Sequence, residues 1–188
     1  MGGRAVWPRG LMLAALFWVA AGRADAATPE YHVKAAFIYK FATYIRWPPT
    51  GEHADMPFVI GVIGTDPFGA ALDEVMRGQN VQGSPIRVRR LTRPEDALHC
   101  DVLFVSASER GNLRQILISL RGAPVLTIGD MDEFAERGGM VNLITSPDNH
   151  IRFEINKNAI DRAGLKVPSQ LLQLARIVDE SRPGGGQP

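Results

Sequence analysis

The chain has few of the groups from which disulfides, metal sites and catalytic centres are made. Its single cysteine is Cys100, so no disulfide can form within the chain and an apolar core must hold the fold unaided. Its four histidines, His32, His53, His99 and His150, lack the i, i+3 or i, i+4 spacing by which a helix turns two imidazoles toward one zinc ion. An excess of one charge is missing too: 21 Lys and Arg stand against 20 Asp and Glu, a balance that gives a nucleic-acid partner no support. No cofactor-binding motif is present either. A membrane-spanning helix needs about 20 apolar residues, and the stretch Leu11 to Ala21 falls well short before Arg23, Asp25 and Thr28-Pro29 interrupt the sequence.

That stretch carries another meaning. Arg4 and Arg9 precede it and Ala24-Asp25-Ala26 offers small residues at a cleavage site, which is the order of a secretory signal peptide. Cleavage after Ala26 makes 1–26 the leader and leaves Ala27 to Pro188, 162 residues with 18 basic and 19 acidic side chains. That is the usual size of one domain, long enough to bury roughly two-thirds of its unfolded surface. Export leads to a compartment where disulfides persist. The lone Cys100 beside Val102-Leu103-Phe104 then reads as a buried small hydrophobe or as a crosslink between two chains.

From Ala27 onward the pattern is α/β. Glu30 to Trp47 reads as a helix with a wide apolar face that includes Val33, Ala36, Phe37, Phe41, Tyr44 and Ile45, stopped by Pro48-Pro49. Phe58 to Ile63 reads as a strand feeding a helix that carries Phe68, Ala71, Leu72 and Val75, with Asp66 as cap and Pro67 in the first turn. Ile86 to Arg90 alternates, so it has one wet face or lies at an edge. Val102 to Val105 and Val125 to Ile128 do not alternate and read as central strands. The stripe Leu113, Ile116, Leu117, Leu120 between them supplies the helix of a parallel crossover. Met140 to Ile144 and His150 to Asn156 are strands joined by the turn residues Ser146-Pro147-Asp148-Asn149. Asn158 to Ala163 reads as a short helix with Gly164 past its end, and a last helix from Pro168 would bury Leu171, Leu174, Ala175 and Val178. The expected fold is a single three-layer α/β domain over 27–180. It has a mixed, mostly parallel sheet, helices on both faces, and a C-terminal hairpin plus helix. Residues 181–188, rich in Gly and Pro, read as a disordered tail.

Catalytic readings find little to stand on. His99-Cys100-Asp101 invites a nucleophile, but neighbours in an extended chain point to opposite faces. Ser106 follows a central strand without the G-x-S-x-G elbow. Gly61 to Gly69 matches neither nucleotide-loop spacing, and Asp66 puts a carboxylate where a phosphate would sit. The run Arg87, Arg89, Arg90, Arg93 could meet an acidic partner but reads first as edge-strand gatekeeping or a solvated face. Gly138-Gly139 reads as a tight turn with positive φ. Arg152, Glu154 and Asn156 form the polar side of an alternating strand, either solvent-facing or part of a functional surface. Trp47, before two prolines, is either core or an interface anchor.

Several ordered segments resemble the YfiR family of periplasmic proteins. They are Val33 to Phe41 leading to Trp47-Pro48, Ile63 to Gly69, Cys100 to Val105, Leu126 to Asp130 with Phe134 and Gly138-Gly139-Met140, Ile151 to Asn156, Ala163-Gly164-Leu165, and Ser169 to Ala175. The resemblance runs from Tyr31 to Val178. It implies a regulator without catalysis: an inhibitor that binds the periplasmic domain of an inner-membrane diguanylate cyclase and restrains cyclic-di-GMP synthesis, with an outer-membrane lipoprotein of the OmpA type able to sequester it. A homodimer is among the assemblies it allows. Trp47, Arg152, Glu154 and Asn156 are the candidate partner-binding residues. The lone Cys100 departs from the cysteine pairs of the best-known member, which removes redox control through an internal disulfide. The alternative is a periplasmic small-molecule-binding protein with its crevice at the strand carboxyl ends near Gly64, Thr65 and Ser106.

Overall fold

In a computed structural model of the chain, residues 28–48 and 56–180 are described. The leader (1–26), the tail (181–188), Pro49 and His53 lie outside them. Helix α1 spans Pro29–Tyr44, α2 Ala71–Met76, α3 Leu113–Ser119, α4 Lys157–Arg162 and α5 Ser169–Leu174. The strands are β1 Phe58–Ile63, β2 Asn80–Val81, β3 Ser84–Leu91, β4 Val102–Val105, β5 Leu126–Gly129, β6 Val141–Thr145, β7 Ile151–Ile155 and β8 Arg176–Ile177. They form one sheet in the order β2-β3-β1-β4-β5-β6-β7-β8.

The apolar runs explain the centre of this sheet. β3, β1, β4, β5 and β6 pair in parallel, and every residue of β4 and β5 is buried. Successive side chains point to opposite faces, so Val102 and Phe104 enter one core while Leu103 and Val105 enter another. The first core receives α1, α2 and α4 through Ile38, Phe41, Leu72 and Ile160. The second receives α3 through Leu113 and Ile116, together with the 3-10 turn Pro94–His99 through Ala97. This is the expected three-layer arrangement. β6 and β7 form the expected antiparallel hairpin, and Gly164, at φ 73°, follows α4 in the left-handed conformation that lets the chain close the helix end.

The buried face of α1 is Lys34, Ala35, Ile38, Phe41 and Ala42, so of the expected face Val33, Ala36 and Tyr44 are exposed. Two elements also end differently from the periodicity. α1 ends at Tyr44, because Arg46 leaves the helix to exchange backbone hydrogen bonds of 3.0 Å in both directions with Lys166. α5 ends at Leu174, which is 74% exposed, and Arg176–Ile177 continues as a strand parallel to β7. The stripe of Leu171, Leu174, Ala175 and Val178 is therefore not a buried helical face. The free edge of β7 needs a hydrogen-bonding partner, and that tertiary demand overrides local periodicity.

The glycine pair has a packing role as well as a turn role. Gly138 has φ 103°, as expected for the turn, but Gly139 lies directly against the Phe134 ring, and a Cβ on Gly129 would come within 2.6 Å of the same ring. Phe134 is thus fully buried between two glycines. Gly139→Ala should lose about 2 kcal/mol, the scale of overpacking a filled core, and urea unfolding measures it. Burial also pushes the Cys100 thiol up to about 11, so at neutral pH it stays protonated and a poor nucleophile. Ellman's reagent should react with it slowly in the native protein and promptly in urea; fast native labelling would contradict this burial.

Candidate functional site

The catalytic readings come apart in three dimensions. His99 is exposed while Cys100 is 5% exposed, with its thiol toward the Asp96 carbonyl. Ser106 is a cap whose hydroxyl accepts from the Ser108 N–H. The Gly61 to Gly69 loop has two of its donors engaged: the Thr65 N–H donates to Ser108 Oγ at 2.9 Å and the Phe68 N–H to Asp66 Oδ1 at 2.8 Å. Arg90 of the basic run is held by Asp66, Asp73 and the Gly69 carbonyl, and Arg93 by Asp96. The strand-end crevice beside Gly64, about 480 Å³ in volume, is lined by Glu95, Glu109 and Asn112, with Ser108 and Glu109 packed against Gly64 itself. Among the described residues no group of three or more His, Cys, Asp or Glu is placed to hold a metal ion.

A second cleft, about 530 Å³, lies where β5 ends and the back of β6-β7-β8 begins. Register builds its floor. Asn142 faces Glu154 and Glu154 faces Arg176, and directly opposed residues share a face, so three polar side chains cross three strands in a row. The Asn142 Nδ2 donates to Glu154 Oε2 at 2.9 Å. Arg176 reaches both Glu154 and Glu136. The N-terminal turn of α1 builds the opposite wall. Lys34 is 4% exposed and bridges Glu30 at 2.7 Å and Asp130 at 2.9 Å. The Tyr31 hydroxyl donates to Asp130 at 2.9 Å, and Thr145 donates to Glu30 at 2.6 Å.

The electrostatics follow from these contacts. The hydrogen bond from Lys34, then that from Thr145, holds the Glu30 carboxyl below its ordinary 4.5. Burial, reinforced by the charge of Asp130, pushes the Tyr31 phenol well above its usual range, so it remains a donor. Lys34, Thr145 and Tyr31 are thereby committed to carboxylates already present.

The candidate partner residues separate. Arg152 is exposed, its side chain at 69%, and lies 3.6 Å from Asp148 in the β6–β7 turn. Glu154 and Asn156 do not face solvent, at 2% and 0% exposure. Asn156 lies just past β7, accepts from the Ala159 N–H as the cap of α4 and donates to the Ala135 carbonyl. Glu154 lies in the cleft floor, where Asn142 and Arg176 engage it. Trp47 is half-buried and stacks edge-on against Phe58 at 5.1 Å. Phe58 begins β1, so Trp47 sits at the end of the sheet away from the cleft. Lys34, Asp130, Asn142 and Arg176 were missed in the sequence as a group. The readable signals were a lysine among Ala35, Ala36 and Phe37, and Gly-Asp closing an apolar strand.

Removing Lys34 leaves Asp130, whose side chain is 4% exposed, as an unpaired buried charge. Lys34→Ala should therefore cost about 3 kcal/mol in denaturant unfolding. The same change should return Glu30 toward 4.5 in an NMR titration. Because the folded-state value of Glu30 is depressed, its stabilising effect is present above pH 4.5 and lost as pH falls through that lower value. The variant should thus lose less on acidification than the parent.

Two solved structures align with the chain. A conserved domain protein from Vibrio cholerae O1 biovar El Tor aligns at 14% identity with a TM-score of 0.53, over 78% of this chain and 59% of its own. The ABC domain from Streptococcus pneumonia, solved with L-Trp, aligns at 11% identity with a TM-score of 0.47, over 64% of this chain and 55% of its own. The chain thus spans less than two-thirds of either, and the Vibrio structure shares its fold. Residues 31–176, nearly all that α1 through β8 comprise, match the family described as YfiR/HmsC-like, and the chain belongs to that family.

Proposed function

We propose that this protein is a periplasmic regulator that binds the periplasmic portion of an inner-membrane diguanylate cyclase and holds it inactive. The observation that carries the reading is the YfiR/HmsC-like match across 31–176, since family members are regulators of this kind. The leader-like residues 1–26 fit export with cleavage near Ala26, and no helix among the described residues is long and apolar enough to cross a membrane. Of the contact residues proposed from sequence, Arg152 is fully available to a partner. Trp47 offers only its exposed edge, while Glu154 and Asn156 act from beneath the surface by shaping what lies above them. Sequestration by an OmpA-type lipoprotein and assembly as a homodimer belong to the same proposal.

A second reading, binding of a small molecule without catalysis, is favoured by the 530 Å³ cleft, a size within the range of small-ligand sites. The two readings are compatible, because an occupant bridging α1 and β8 would alter the surface a partner meets.

Deleting the gene should raise cellular cyclic-di-GMP and biofilm, and restoring the unaltered chain should reverse both. Levels that stay constant across several growth conditions would overturn the inhibitor reading. Arg152→Glu, a reversal at an exposed position, should weaken capture of the cyclase's periplasmic domain by about tenfold in a pull-down titration while leaving thermal stability unchanged.

A further inference from the structure

The cleft between α1 and the β6-β7-β8 floor has a one-sided hydrogen-bonding deficit. Six carboxylates line it, Glu30, Asp130, Asp132, Glu133, Glu136 and Glu154, against two cations, Lys34 and Arg176. Three side-chain oxygens in it are shut from solvent and accept no hydrogen bond; Glu154 Oε1 lies against the Arg176 guanidinium, which leaves Asn142 Oδ1 and Glu136 Oε2 unmet. Asn142 is itself 2% exposed. The identity of its free atom follows from its partner: the Glu154 carboxylate can only accept, so Nδ2 faces Glu154 and Oδ1 faces away. Both unsatisfied groups are acceptors, and a buried acceptor left without a donor is costly.

We propose that this cleft binds a small cationic molecule bearing an ammonium or guanidinium group, whose N–H donors reach Asn142 Oδ1 and Glu136 Oε2. The charge and the donors answer the same deficit, since such a group brings positive charge among carboxylates and carries no acceptor of its own. The protein already shows that the site suits this chemistry. The Arg176 guanidinium, with its side chain 67% exposed, enters from the β8 edge and pairs with Glu154 and Glu136. It occupies one end and donates to Glu136 Oε1, making no hydrogen bond to Glu136 Oε2 or Asn142 Oδ1, which a ligand would reach by displacing the side chains that cover them. The cleft volume matches a compact molecule of this kind. The inference rests on the ligand-binding reading and is independent of the cyclase reading.

The test is calorimetric titration of the purified protein at low ionic strength with agmatine and putrescine, beside 1,4-butanediol as the uncharged analogue, succinate as an anion and the blocked peptide acetyl-Gly-Arg-Gly-amide. Amide chemical shifts locate any binding. Agmatine or putrescine should bind saturably and shift the amides of Asp130, Asn142 and Glu154, while butanediol and succinate should not. Glu136→Gln should weaken binding by about tenfold, the scale of one charge-assisted hydrogen bond. Arg176→Ala should tighten it, because the resident cation no longer competes, and agmatine should restore more thermal stability to this variant than to the parent. If either variant fails to fold, the shift map on the unaltered chain decides alone. Binding of succinate or butanediol in the cleft would overturn the cationic assignment while keeping a ligand site. Binding of the peptide but not the amines would overturn the small-molecule assignment. No binding by any probe would overturn the ligand-binding reading with it.

Discussion

Lys34 and Asp130, 96 residues apart in the chain, have side chains about as buried as the hydrophobic residues around them, and a buried charge of this kind is tolerated only when paired. Their contact ties the first turn of α1 to the end of β5, the strand on which the second half of the sheet is built. Much of the rim depends on that tie. Glu30 is drawn in to share Lys34 and is then met by Thr145 at the end of β6, while Tyr31 completes Asp130 from the same helical turn. An apolar sheet covered on both faces can admit charge where strands end or where a face loses its covering helix. Both conditions meet at this corner of the molecule.

The parts of the fold that were readable are those governed by neighbours in sequence. β1, β4 and β5 announce themselves as apolar runs without alternation, because burial on both faces leaves no position for a polar side chain. The stripe of α3 and the turn between β6 and β7 are equally local. The parts that were not readable depend on distant backbone. Nothing near Arg46 indicates that Lys166 will claim its N–H and carbonyl, and the spacing of Leu171, Leu174, Ala175 and Val178 is honestly helical. Only the exposed edge of β7 explains why the chain straightens at Arg176.

The candidate site follows the same division. Glu154 and Asn156 stood out as polar residues in an alternating strand, and alternation pointed them to one side correctly. What alternation cannot say is whether that side meets water. The Phe134 turn, seated between Gly129 and Gly139, brings Ala135 and Glu136 over the end of β7. It thereby converts a solvent face into an interior one. Asn156 then serves the fold by capping α4, whereas Glu154 joins a row whose members come from three separate segments. Asn142 and Arg176 each look unremarkable in their own surroundings, and their meaning appears only in register.

That row bears on function because the same strands show an alternative. On their other face the aligned residues are Val141, Ile155 and Ile177, so this part of the sheet accommodates an apolar row without difficulty. An apolar row on the cleft side would spare the fold a buried carboxylate and an unsatisfied amide oxygen. Buried ion pairs seldom stabilise more than well-packed hydrophobic residues of similar volume. In a chain with one cysteine and no internal disulfide, a polar row that an apolar one could replace fits the recognition proposed for the cleft.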